Sequence, residues 1–133
     1  MTLSEINDDL LATFFKHGFR IHPNYIGSDN KIHALKQWPS RAASNMEELG
    51  KLVEEASKSG EVQRFGVVPP EHCMIVDLDV RDGKMGLQNY EDLVKTHGIT
   101  ATPLFQVKSK SGRYHLYFKT GSKFVQTVSN VAI

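Results

Sequence analysis

The chain has 133 residues, 40% hydrophobic and 23% charged, with a formal net charge of +1. This is the length and balance of one globular domain with a real core, spanning 1–133, and it excludes a polyanion binder that works by bulk charge. One cysteine excludes an internal disulfide framework and suits a reducing cytosol, and no apolar run approaches the roughly 20 residues of a membrane span.

Thr2-Leu3-Ser4-Glu5 has the hydroxyl and the glutamate of a capping box. Ile6, Leu10, Leu11, Phe14 and Phe15 follow at helical spacing, and Gly18 closes the helix. Phe19-Arg20-Ile21-His22 then reads as a short strand stopped by Pro23. Residues 23–44 read as a polar loop. Its Lys31, His33, Lys36 and Arg41 are either a basic loop near a nucleotide or template, or solvated side chains around Trp38 as a packing anchor. Asn45-Met46-Glu47-Glu48 caps a second helix with Leu49, Leu52, Val53 and Ala56 on its buried stripe. Arg64 to Val68 is a strand, and Pro69-Pro70 is expected to turn it into an antiparallel hairpin with the strand at 73–80. A helix over about 86–97 follows, with Leu87, Tyr90, Leu93 and Val94 on one face. Strands are predicted at Leu104–Lys108, Arg113–Lys119 and Phe124–Ile133. Strict alternation in the second of these puts Tyr114, Leu116 and Phe118 on one face and Arg113, His115, Tyr117 and Lys119 on the other.

The strand Cys73 to Val80 is apolar and β-branched, yet it carries Asp77 and Asp79. Both point to one side, about 6.5–7 Å apart along the strand. A lone Asp at a strand end is commonly a helix cap or a partner for an arginine. Two acid groups at that spacing can converge on one divalent cation or hold a pair of them, and two buried carboxylates side by side need a counter-charge, so something cationic is expected there. Nearby in sequence lies a basic tract of Lys108, Lys110, Arg113, Lys119 and Lys123, with no acid between 108 and 123. His115 stands at its centre, just after the Ser111-Gly112 turn. Carboxylates that hold Mg²⁺ or Mn²⁺, beside a Gly-containing turn, a hydroxyl and an imidazole, suit metal-assisted transfer from a nucleoside triphosphate. For His115 the alternative is a histidine hydrogen-bonded inside the sheet.

Three enzyme classes use an Asp-x-Asp strand. Phosphatases of the haloacid dehalogenase type need a further acidic motif, and no acid follows Asp92. Sugar-nucleotide transferases need an upstream nucleotide-binding half, and the first 70 residues hold no Gly-rich strand–helix turn. Nucleotidyl transfer is left.

The order of elements and motifs resembles the N-terminal primase-polymerase domain of the archaeo-eukaryotic primase superfamily, in its phage and plasmid form. Val76-Asp77-Leu78-Asp79 resembles the family's metal motif, Thr102-Pro103 the residues before its next strand, and Ser111-Gly112-Arg113-Tyr114-His115 with the apolar residues after it the nucleotide-binding motif. The resemblance implies an α+β fold: a mixed, mainly antiparallel sheet with flanking helices and an RRM-like catalytic core. It implies metal ligation by Asp77 and Asp79, and contact of His115 with the triphosphate, with Lys110, Ser111, Gly112 and Arg113 around the same turn. Lys31, Lys36 and Arg41 fall in the basic loop facing template or nucleotide. The implied activity is DNA primase-polymerase action on dNTP or NTP and single-stranded or primer-template DNA, beside a C-terminal helicase domain or other replication proteins. The implied setting is the cytoplasm of a bacterium or phage-infected host. Two departures stand out: Arg113 replaces a second glycine, and the family's third carboxylate on a later strand has no counterpart here, as expected of a C-terminally truncated or non-catalytic nucleotide-binding version.

Overall fold

The computed structural model describes residues 8–109 and 112–121. The expected capping box, the expected strand at 124–133, and Lys110, Ser111 and Lys123 lie outside them. The elements run α1 (Asp8–Lys16), β1 (Arg20–Ile26), β2 (Ile32–Ala34), α2 (Trp38–Arg41), α3 (Met46–Ser57), β3 (Glu61–Val68), β4 (Cys73–Asp79), α4 (Gly86–His97), β5 (Phe105–Lys108) and β6 (Arg113–Lys119). The fold is α+β with antiparallel pairing, as expected, but the described strands form two sheets. The chain divides after Pro70 into two compact units, each with one sheet.

In the first unit the sheet order is β2-β1-β3. Leu11 and Phe14 bury the inner side of α1. Gly18, at φ +80°, ends that helix in a left-handed turn, where Phe19 N–H donates to Phe14 O and Gly18 N–H to Phe15 O. The Phe14 and Phe19 rings close over this turn at 5.2 Å, the apolar contact that accompanies such an ending. Asn45 caps α3 by accepting from Glu48 N–H at 2.9 Å, as expected. Leu49 and Ala56 are its buried residues, and α3 packs against β1 and β3.

Pro23 does not stop β1. Ile21 exchanges hydrogen bonds with Ala43 on the β2 side of the strand, and β2 pairs only from Asn24 onward. Strand N–H groups alternate sides, so the missing donor of Pro23 falls in the gap between those two partners, where no ladder bond is lost. The expected loop therefore contains β2, the short helix α2 and the Ala43 bridge. On the polar side of this sheet the buried His22 lies over Gly66 and against the Trp38 ring, 4.3 Å between centroids.

In the second unit the order is β4-β6-β5. The predicted hairpin between 64–68 and 73–80 is not formed: β3 pairs with β1, and β4 pairs with β6. Two consecutive prolines provide no N–H to close a hairpin turn, and Val68 is already the partner of Arg20. The alternation predicted for 113–119 is observed: Leu116 and Phe118 join Leu78 in the core, with Met74, Val76 and Tyr114 around them. From α4 only Leu87 and Tyr90 pack on this cluster, while Leu93 is exposed.

Candidate functional site

The site lies on the other face of the second sheet. The register places Asp77 opposite His115 and Asp79 opposite Arg113, with Ile75 opposite Tyr117. On the far side of β6, Val107 stands opposite His115 and Phe105 opposite Tyr117. Residues directly opposite in a ladder share a face, so these side chains form one surface. Phe105 and Tyr117 stack at 4.5 Å and floor one end of it. Tyr117 is buried there, which pushes its phenol up to about 12, with Cys73 and Asp77 adding to the effect.

The two carboxylates are held differently. Asp77 is 44% exposed; Arg113 Nη2 approaches one of its oxygens at 3.2 Å and His115 Nε2 the other at 3.4 Å. Asp79 is 20% exposed and is gripped from its own loop. Arg81 Nε and Nη2 each donate to it at 3.0 Å, Arg81 N–H donates at 3.0 Å, and Lys84 Nζ approaches at 3.3 Å. The Arg81 guanidinium and backbone N–H hold the Asp79 carboxyl well below the usual carboxylate range, and the same pair raises Arg81. The expected cationic partners of the carboxylate pair include the chain's own Arg81 and Lys84 beside Asp79 and Arg113 beside Asp77. Around Asp77 and Ile75 this face is open to solvent.

Local sequence explains the grip on Asp79. Asp82 and Gly83 both have positive φ, and Lys84 N–H donates to Arg81 O at 3.0 Å. Asp-Gly is the dipeptide that tolerates two successive left-handed residues, so the turn sends Lys84 back toward the strand it has just left. The start of α4 sits directly on Asp79: a β-carbon on Gly86 would stand 2.7 Å from Asp79 O and 2.8 Å from Asp79 N. Arg81, Lys84 and Gly86 were not among the sequence candidates. The signal available was the Asp79-to-Arg81 spacing followed by Asp-Gly, which is the arginine-partner alternative for an Asp at a strand end.

Gly112, at φ +89°, leads into β6 and needs its glycine conformation. Its N–H donates to Ser109 O and its carbonyl accepts from Val80 N–H, so its polar backbone is engaged within the turn. Ser109 Oγ accepts from Arg113 N–H at 3.1 Å and fixes the start of β6. The basic tract divides between the two faces. Lys119 shares the face of Asp77, whereas Lys108 shares that of Tyr114 and lies 5.3 Å from its ring centroid. Lys31, Lys36 and Arg41 belong to the first unit. Lys31 and Lys36 are exposed. Arg41 is tied to Glu55 and to Lys36 O.

The donor set suits a hard divalent cation, since carboxylate oxygens are its preferred ligands. Among the described residues no group of three or more His, Cys, Asp or Glu side chains converges. Asp77 and Asp79 are the two carboxylates of this face that could ligate one, and their oxygens are engaged by Arg113, His115, Arg81 and Lys84. Among the described residues no helix is long and apolar enough to cross a membrane.

No curated protein and no solved structure matches the chain. The family model described as bifunctional DNA primase/polymerase, N-terminal, matches residues 11–132, from within α1 through both sheets and beyond. With that match covering most of its length and including every residue of the site, the chain belongs to the family of N-terminal domains of bifunctional DNA primase/polymerases.

Proposed function

We propose that the open face of the second sheet binds a nucleoside triphosphate and divalent cations, and that the chain joins nucleotides on a DNA template. The observation that carries this reading is the placement of Asp77 and Asp79 beside His115 and Arg113 on one exposed surface. In the reaction the 3′-hydroxyl oxygen of the growing strand bonds to the α-phosphorus. The bond to the bridging oxygen breaks, pyrophosphate leaves, and the hydroxyl proton passes to solvent. Asp77 and Asp79 would hold Mg²⁺ or Mn²⁺, which would supply charge neutralisation at the phosphates and lower the pKa of the attacking hydroxyl. Arg113 and His115 donate to phosphate oxygens, a guanidinium fork and an imidazole being suited to dispersed negative charge. Gly112 holds the turn, and Lys110 and Ser111, its sequence neighbours, extend the donor set. Exposed Lys31 and Lys36 contact the DNA backbone, with Arg41 bracing their loop through Glu55. A helicase partner and a phage or plasmid setting are proposed on the ground of the family alone.

A non-catalytic nucleotide-binding module is the second reading. It is favoured by the absence, among the described residues, of a three-ligand cluster. The deciding experiment is thermal denaturation with dATP and Mn²⁺, followed by primer extension. Ligand that binds the native state raises the unfolding midpoint. Wild type is expected to shift with both ligands together, and Asp77→Ala to lose the shift while keeping its fold. An unchanged shift in Asp77→Ala would overturn the site assignment. Binding without primer extension would select the second reading.

A further inference from the structure

The carboxylates and the cations of this site neutralise one another. Arg81 closes on Asp79 with two side-chain donors and a backbone N–H, and Lys84 adds a third side-chain contact. Arg113 reaches Asp77 through one nitrogen, while its Nε is buried without a hydrogen-bond partner. These cations are the donors a polyphosphate would want, and the oxygens they cover are the ligands a divalent ion would want. The side chains of Arg81, Lys84 and Arg113 are 38%, 63% and 43% exposed, so each can swing into solvent without opening the core.

We propose that Arg81, Lys84 and Arg113 are exchangeable counter-ions: a bound triphosphate draws them from Asp79 and Asp77, and the released carboxylates then take the divalent cation. This rests on the reading of the site given above and adds Arg81 and Lys84 as phosphate-binding residues. Binding of anion and cation is then coupled with positive sign, and by linkage each tightens the other equally. With no polyphosphate present, the carboxylates stay closed to metal. Local design supports the exchange. The Asp82-Gly83 turn carries Arg81 and Lys84 together, and Gly112 leaves room for the Arg81 stem, whose Cγ would lie 3.1 Å from a β-carbon there.

The test measures the two ligands separately. Mn²⁺ alone is titrated by electron paramagnetic resonance of the free ion, and inorganic tripolyphosphate alone is titrated calorimetrically in EDTA. The proteins are wild type, the double variant Arg81→Gln with Lys84→Gln, Arg113→Gln, and Lys51→Gln, a control that removes one positive charge from α3, in the first unit. Circular dichroism checks that each is folded. The double variant and Arg113→Gln are expected to bind Mn²⁺ about fivefold or more tightly than wild type and tripolyphosphate correspondingly more weakly. Lys51→Gln is expected to match wild type in both. Folded variants that bind Mn²⁺ no better than wild type would overturn the exchange, and the proposed function would stand if wild type still shifts with dATP and Mn²⁺. Absence of any Mn²⁺ binding, with or without dATP, would overturn both. Should the double variant fail to fold, Arg113→Gln alone decides, because it frees Asp77 without touching the Asp82-Gly83 turn.

Discussion

Replacing Gly86 by alanine puts a helix-favouring residue at the start of α4, and it is expected to destabilise the protein. The φ of Gly86 is outside the left-handed region, so alanine is conformationally allowed. Its β-carbon, however, would stand 2.7 Å from Asp79 O and 2.8 Å from Asp79 N. Both contacts are with backbone, which cannot rotate away. The first turn of α4 must retreat by roughly 0.7 Å to restore ordinary contact, and β4 and α4 share the core built on Leu78 and Leu87. Overpacking of this kind costs about 1–3 kcal/mol, against a propensity gain of at most about 1 kcal/mol. The net loss of about 1–2 kcal/mol should lower the thermal midpoint by about 3–10 °C. The shift caused by dATP with Mn²⁺ should shrink too, because the retreat drags on the backbone that carries Asp79. Gly50→Ala is the matched control. Gly50 lies inside α3 with nothing within 4 Å of its β-carbon position. There the same substitution should stabilise by about 0.5–1 kcal/mol. Circular-dichroism melting of both variants is the assay. A Gly86→Ala protein as stable as wild type, beside a stabilised Gly50→Ala, would refute the steric argument.

Asn45→Ala should remove about 1 kcal/mol by taking away the cap on Glu48 N–H, and Asn45→Asp should retain most of it, as read by urea denaturation. Of the chain's four tyrosines, Tyr117 should ionise last in an ultraviolet titration, because burial pushes it up to about 12. A tyrosine raised in the folded state contributes stability that is complete below the ordinary value of about 10 and is lost as pH rises from there to about 12. The thermal midpoint should therefore fall across that interval, and Tyr117→Phe should flatten the fall. A wild-type midpoint that stays level there would refute the assignment.

Much of the second unit is legible in the chain itself. Alternation in Arg113–Lys119 needs only the two-residue period of a strand, and it separates the Leu116–Phe118 face from the His115 face before any partner is known. The bounds of α4 likewise follow from its apolar spacing and the glycine after His97. Local caps at Asn45 and Gly18 form as their residue types dictate, because each is satisfied within a few residues.

Pairing is another matter. Asp77 meets His115 across 38 positions of sequence, and only the ladder between β4 and β6 sets that register. The prolines at 69 and 70 suggested a hairpin, yet which strand accepts β4 depends on which edges are already taken, a property of the assembled sheets. The counter-ions of Asp79 are close in sequence but escaped prediction for a different reason. Arg81 and Lys84 reach it because Asp82 and Gly83 turn left-handed, which the Asp-Gly dipeptide allows, and α4 begins against Asp79, which only the folded chain shows. Sequence by itself determined which residues could bear charge on a common strand face, because alternation is a local rule. The tertiary structure alone decided that Arg113 and His115 sit on Asp77 and that α4 begins against Asp79, because the register of β4 on β6 and the packing of α4 bring together residues far apart in sequence.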